Sequence, residues 1–153
     1  MNFIFDMDGL MFDTERICIK AWDYAGEKIG VGKAGYMVHK TLGMNIAAAN
    51  KVWNEEFGDR YNEDELRKYT NDYMKKYYAE NTVPVKYGLY ELLDYLRDRN
   101  CKMMVASSSS RRQVEKHLKS AGVSNYFVDI ICGDMVENSK PAPDIYLKAC
   151  EIL

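Results

Sequence analysis

The feature that most constrains this chain is its start. There the apolar run Phe3-Ile4-Phe5 stops at two carboxylates, Asp6 and Asp8, with Gly9 directly after them. An apolar run of this kind predicts a strand buried on both faces, as in a parallel sheet covered by helices. In open α/β sheets the crevice outside the carboxyl ends of the strands is where ligands bind, so the pair is placed for chemistry rather than packing. Residues two apart in a strand share a face, with Cα atoms roughly 6.6 Å apart. Like charges at that range repel unless a cation lies near them, and a divalent metal with a phosphate ligand would supply one. Alone, an Asp-x-Asp-Gly tetrapeptide is also an ordinary turn. Residues farther along the chain decide between the two.

At 153 residues the chain is long enough for one domain, or one domain with a modest insertion. Its 47% hydrophobic and 29% charged residues are those of a globular protein and exclude disorder. A net charge of -2 and a sequence pI near 5.7 leave no global basic field, so nucleic acid is not an expected partner. No basic segment precedes an apolar core at the N-terminus. No apolar run approaches the roughly 20 residues of a membrane span, so no membrane partner is expected and a cytoplasmic location is predicted. Cys18, Cys101, Cys132 and Cys150 are widely spaced with no Cys-x-x-Cys pair, which predicts buried reduced thiols rather than a zinc or redox site.

From Thr14 to Ile29 the residues Ile17, Cys18, Ala21, Trp22, Ala25 and Ile29 recur at helical spacing, with Asp13 or Thr14 able to cap the start and Gly30 to stop it. A short segment around Tyr36 to Leu42 leads to Gly43-Met44-Asn45. There Asn45 can cap a helix carrying Ile46, Ala49, Val52, Trp53 and Phe57, closed by Gly58. Asn62 with Glu65 three residues on reads as another helix start, and Leu66, Tyr69, Tyr73 and Tyr77 share one face of that helix. Tyrosines at helical spacing are read as the inner face of a bundle rather than a stacking surface. No strand-like alternation occurs between Thr14 and Asn81, so an all-helical insertion over residues 15–81 is predicted. Its basic and acidic residues balance, as on a solvated face.

At Thr82-Val83-Pro84-Val85-Lys86-Tyr87-Gly88 a proline and a glycine bracket a non-helical return, before a helix stripe of Leu89, Leu92, Leu93 and Leu96. Lys102 to Ala106 predicts a second strand, ending at Ser107-Ser108-Ser109-Ser110. A helix from Arg111 to Ala121 closes at Gly122, and Tyr126 to Gly133 predicts a third strand. Ser139-Lys140-Pro141-Ala142-Pro143-Asp144 then leads into a last helix, with Pro143 suited to its first turn. Strand, helix, strand in succession predicts parallel pairing. The fold class is α/β, a parallel Rossmann-like core sheet built from residues 1–14 and 82–153 around the helical insertion.

Asp6-x-Asp8-Gly9 after an apolar strand, followed by Asp13-Thr14-Glu15, Ser107 at the second strand end and Lys140-Pro141-Ala142-Pro143-Asp144, resembles the haloacid dehalogenase-like hydrolases. The likeness is to their helical-cap phosphatases and β-phosphoglucomutase-like enzymes, and it covers essentially the whole chain. It implies a phosphatase acting on a small phosphorylated metabolite, such as a sugar phosphate, through an aspartyl-phosphate. Asp6 would be the nucleophile and Asp8 the general acid/base. Ser107, Ser108 and Lys140 would hold the phosphate. Magnesium would be the cofactor, bound by the Asp6 carboxylate and through Asp8 by its backbone carbonyl. Residues 15–81 would form a cap closing over Asp6 and Asp8, with Gly43 and Asn45 as its substrate contacts.

The resemblance has departures. Cys18 stands where the mutases carry a histidine and Ile46 where they carry an arginine, which favours phosphatase over phosphoglucomutase-like mutase. The family's fourth, acidic motif lies beyond Leu153, so weak metal binding and association of this chain are expected, against a monomer for an extended one. From another class, a phosphorelay receiver also combines aspartates, a strand-end Ser and Lys-Pro, and a non-catalytic phosphate-binding protein is a further alternative. A receiver lacks the long helical insertion after strand one.

Overall fold

The structure, a computed structural model, describes all residues except 42, 43, 45 and 139, and the side chains of 46 and 47 are likewise left undescribed. The chain forms two compact units, one of Met1–Asp13 with Thr82–Leu153 and one of Thr14–Asn81.

The first unit is built on β1 (Asn2–Phe5), β2 (Lys102–Ser107) and β3 (Asp129–Cys132), parallel throughout and in the order β1-β2-β3. Asn2 pairs with Lys102 and Phe5 with Val105, while Met104 pairs with Asp129 and Ser107 with Cys132. The central strand β2 buries every residue from Met103 to Ser107, whereas β1 buries only Phe5 fully. Burial on both faces, expected for the first strand, therefore belongs to β2, because its neighbours occupy both edges. The third strand is shorter than its apolar run. Ser124–Tyr126 form a single 3-10 turn and Val128 is exposed, so regular pairing begins at Asp129.

Among the described residues of this unit three helices pack: α5 (Leu89–Asp98), α6 (Arg111–Ser120) and α7 (Asp144–Ile152). Ile145 and Ala149 of α7 close over Met104, Ala106 and Ile131 of the sheet. The buried stripe of α5 is Leu89, Leu93 and Leu96, while Leu92 is 44% exposed. Leu92 lies at the flank of the arc those three define, so the stripe is one residue narrower than expected. Fully burying a leucine such as Leu93 is worth on the order of 1.5–3 kcal/mol. Pro143 is the N-cap of α7 rather than a residue of its first turn. Where the chain leaves and re-enters this unit, Asp13 N donates to Pro84 O at 2.8 Å and Lys86 N to Met11 O at 2.9 Å. Phe12 and Val85 bridge antiparallel between them, and Lys86 Nζ reaches Asp13 Oδ1 at 3.0 Å.

The second unit holds α1 (Thr14–Lys28), α2 (Met37–Thr41), α3 (Ile46–Phe57) and α4 (Glu63–Glu80), with no strand among its described residues. Ala25, Ala34, Met37, Trp53, Phe57 and Leu66 form its core. Trp53 stacks on Tyr61 at 5.3 Å and meets Trp22 edge-on at 5.1 Å. The Asn62 side chain accepts from Glu65 N at 3.1 Å, satisfying one of the four free N–H groups at the start of α4. Along α4, Leu66 is buried, Tyr69 packs on the core and Tyr73 lies 5.6 Å from Tyr24, so these members of the stripe are packing residues. Among the described residues no helix is long and apolar enough to cross a membrane.

Candidate active site

The chain turns sharply after β1. Met7 is fully buried, and its carbonyl accepts from Met11 N at 3.0 Å and Phe12 N at 3.2 Å. Gly9 N donates back to Phe12 O at 2.9 Å with φ +78°, a conformation glycine adopts at little cost. Asp6 and Asp8 flank the inward-pointing Met7, both half-buried, so they emerge from the same side of the segment just past the strand. The alternation expected of a strand persists across two residues that are not themselves in one.

At the end of β2, Ser107 is fully buried. Its Oγ accepts from Ser109 N at 3.1 Å and lies 3.4 Å from Asp8 Oδ2. The shorter contact to Asp8 comes from Ser109, whose Oγ donates to the same Oδ2 at 2.8 Å. Ser108, expected beside Ser107 as a phosphate ligand, is exposed between them. The loop after β3 braces this serine segment. A Cβ at Gly133 would stand 2.4 Å from Ser108 O, so only a glycine allows the approach, and Gly133 N donates to Ser109 O at 3.4 Å.

Lys140 completes the group. Its Nζ donates to Asp6 Oδ1 at 2.7 Å and to Ala106 O at 3.1 Å, and lies 4.9 Å from the centroid of the Tyr146 ring. Burial pulls the lysine pKa down, but the hydrogen bonds with Asp6 and Tyr146 and the charge of Asp6 outweigh it, leaving the pKa above its ordinary value. The ammonium therefore stays charged at neutral pH. Behind the turn, His117 of α6 is buried and meets Phe12 edge-on at 6.0 Å. Burial lowers its pKa, with the charge of Asp8 opposing.

The structure thus brings Asp6 to Lys140 and Asp8 to Ser107, all at the carboxyl ends of β1 and β2. Gly43 and Asn45 lie outside the described residues. Ser109 was not picked out by the sequence. Four successive serines carry no periodicity, and only the turn that folds Ser109 N onto Ser107 Oγ singles it out. Among the described residues no cluster of three or more His, Cys, Asp or Glu side chains forms a ready-made metal cage. The donors present fit magnesium nonetheless, since that ion takes hard oxygens and is usually held by one or two carboxylates with waters and phosphate. Lys140 engages one oxygen of Asp6, and a carboxylate has two. A carboxylate beside a fixed cation, with a second carboxylate held by hydroxyls, supplies the parts of nucleophilic and acid/base catalysis on an anionic substrate.

The haloacid dehalogenase-like hydrolase family model matches residues 3–153. The chain is 26% identical over 150 residues to a phosphorylated carbohydrates phosphatase of Thermotoga maritima, covering 98% of this chain and 69% of that protein. It is 28% identical over 157 residues to a phosphoglycolate phosphatase of Aquifex aeolicus, covering 98% of this chain and 68% of the relative. A crystal structure of β-phosphoglucomutase from Clostridium difficile superposes with a TM-score of 0.75 at 25% identity, over 98% of this chain and 69% of that one. The chain spans about two thirds of the length of these relatives.

Proposed function

Because the chain belongs to the haloacid dehalogenase-like hydrolases, we propose that it is a phosphatase acting on a small phosphorylated metabolite, such as a sugar phosphate, with magnesium as cofactor. The observation that carries this reading is the 2.7 Å contact between Lys140 and Asp6, beside an Asp8 held by Ser109 at 2.8 Å. Two relatives named as phosphatases of phosphorylated compounds support it.

In this reading a carboxylate oxygen of Asp6 attacks phosphorus, and the bond from phosphorus to the leaving oxygen breaks. Asp8 gives its proton to that oxygen. A water then loses a proton to Asp8 and attacks the phosphorus of the aspartyl-phosphate, breaking its bond to Asp6 and releasing inorganic phosphate, which restores the Asp6 carboxylate and the protonated Asp8. Ser107 and the backbone N–H groups of the serine segment hold phosphate oxygens, and Lys140 balances charge on both the nucleophile and the phosphate. Magnesium, bound by the Asp6 carboxylate and the Asp8 carbonyl, would offset charge on the transferring oxygens. Cys18 and Ile46, where the resemblance expects the histidine and arginine of mutases, favour transfer to water over transfer to a second hydroxyl. The helical unit is assigned the role of the cap.

The test is hydrolysis of p-nitrophenyl phosphate and a panel of phosphorylated metabolites with magnesium present. Asp6→Asn should abolish turnover with the fold unchanged by circular dichroism. Asp8→Asn should accumulate a phospho-adduct visible by mass spectrometry. An Asp6→Asn chain that keeps most of the activity overturns the nucleophile assignment.

A further inference from the structure

The Lys140 ammonium is a compact charge on a flexible four-carbon stem, so its position depends on what surrounds it. It has three N–H bonds, of which Asp6 Oδ1 and Ala106 O take two, at 2.7 and 3.1 Å. Its third neighbour is Tyr146, which hydrogen-bonds it and whose ring centroid lies 4.9 Å from Nζ, inside the roughly 6 Å range in which a cation is attracted to an aromatic face. The chemistry proposed above makes no use of Tyr146.

Tyr146 is 37% exposed, while Ile145 and Ala149 of the same helix do the packing against the sheet. Its ring is thus not needed to fill the core. The segment leading to Lys140 is tied to this helix a second time, since Asn138 donates to Asp144 Oδ2 from its backbone N at 3.3 Å and from Nδ2 at 2.8 Å. Asp144 and Tyr146 both lie in the first turn of α7, so one helix end frames both Asn138 and Lys140.

We propose that Tyr146 is a positioning residue for the phosphate chemistry of this site, its ring face holding the Lys140 ammonium beside Asp6 so that the charge is in place before phosphate arrives. The inference rests on the assignment of Asp6 and Lys140 to that chemistry. Tyr146 meets the ammonium with its ring face and through a hydrogen bond of its hydroxyl, so phenylalanine keeps the first alone, whereas leucine leaves only apolar surface.

The experiment compares the parent chain, Tyr146→Phe and Tyr146→Leu, first checked for equal thermal unfolding. The readouts are kcat on p-nitrophenyl phosphate and the dissociation constant for orthophosphate by calorimetry. Tyr146→Leu should lower kcat and weaken orthophosphate binding by about 3- to 30-fold, with Tyr146→Phe falling between the parent and the leucine variant because it keeps the ring and loses the hydroxyl. In a Lys140→Met background, Tyr146→Leu should cause no further loss of orthophosphate binding, since the group it positions is gone. A Tyr146→Leu chain matching the parent, a Tyr146→Phe chain losing as much as the leucine variant, or an equal loss in the Lys140→Met background overturns the proposal. A parent that binds orthophosphate yet hydrolyses no ester refutes the phosphatase reading, and the binding comparison still decides the role of Tyr146. A parent that does neither overturns both.

Discussion

Replacing Gly133 by alanine tests whether the loop after β3 sets the position of the serine segment. An alanine Cβ would lie 2.4 Å from the carbonyl oxygen of Ser108 and 3.0 Å from its carbonyl carbon, where ordinary contact begins at 3.4 Å. Both partners are backbone, so one main chain has to give by about 1 Å, overpacking of a kind that costs typically about 1–3 kcal/mol. For a chain of this size that lowers the melting temperature by roughly 2–12 °C. The displaced atom lies between Ser107 and Ser109, the two hydroxyls at 3.4 and 2.8 Å from Asp8 Oδ2. A shift of 1 Å shared along this segment breaks the shorter contact, and misplacement of that order at a reacting centre costs up to about 100-fold in rate. Thermal unfolding by circular dichroism and kcat/KM on p-nitrophenyl phosphate, measured well below the melting temperature, separate the two effects. The expected result is a 10- to 100-fold fall in kcat/KM in a chain that is still fully folded, about the upper range of such misplacement. A Gly133→Ala chain with parental melting temperature and kcat/KM within about twofold refutes the reasoning.

Two further outcomes concern groups away from the reacting atoms. Burial holds the His117 pKa below the usual value of about 6.5, so below that pH the unfolded chain takes up a proton that the folded one does not. Stability should therefore fall as pH drops from 6.5 toward the folded pKa, and urea unfolding at about pH 7.5 and 5.5 should show a smaller fall for His117→Gln than for the parent; equal falls refute the assignment. Asn62→Ala removes the acceptor for Glu65 N and should destabilise the helical unit by about 1 kcal/mol, while Asn62→Asp keeps it. Trp22 and Trp53 are the chain's two tryptophans and both lie in that unit, so their fluorescence reports its unfolding directly, and an unchanged midpoint for Asn62→Ala refutes the cap.

What was legible in the sequence is what a local change of pattern can mark. Asp6 and Asp8 stand out because charge follows an apolar run, and Ser107 because a polar run follows another. The start of α4 could be read from Asn62 and Glu65, a contact that spans three residues. The features that differ depend on neighbours far along the chain. Phe3 and Ile4 are only partly buried because β1 sits at the edge of the described sheet, and strand order is not written in one strand. Tyr126 reads as strand by its neighbours, but it bonds through its hydroxyl to Asp94 at 2.6 Å and closes a 3-10 turn instead. Ser109 turns its hydroxyl to Asp8 in a segment braced by a glycine on another loop, which nothing in the serine run itself marks. Leu92 differs from its neighbours by a fraction of a helical turn, less than a leucine count can resolve.

The bridge between Phe12 and Val85 also bears on the order in which the chain assembles. Asn2 must find Lys102 across 100 residues, and a gap that long is costly to close while everything between is slack. Once residues 14–81 have collapsed on their own core and their two ends are pinned side by side, the slack that remains is about a third as long. Because closure entropy grows as 1.5 RT times the logarithm of length, a threefold shorter gap lowers the cost of β1 meeting β2 by about 1 kcal/mol. The inserted helices, which interrupt the sheet in sequence, thereby shorten the search that builds it.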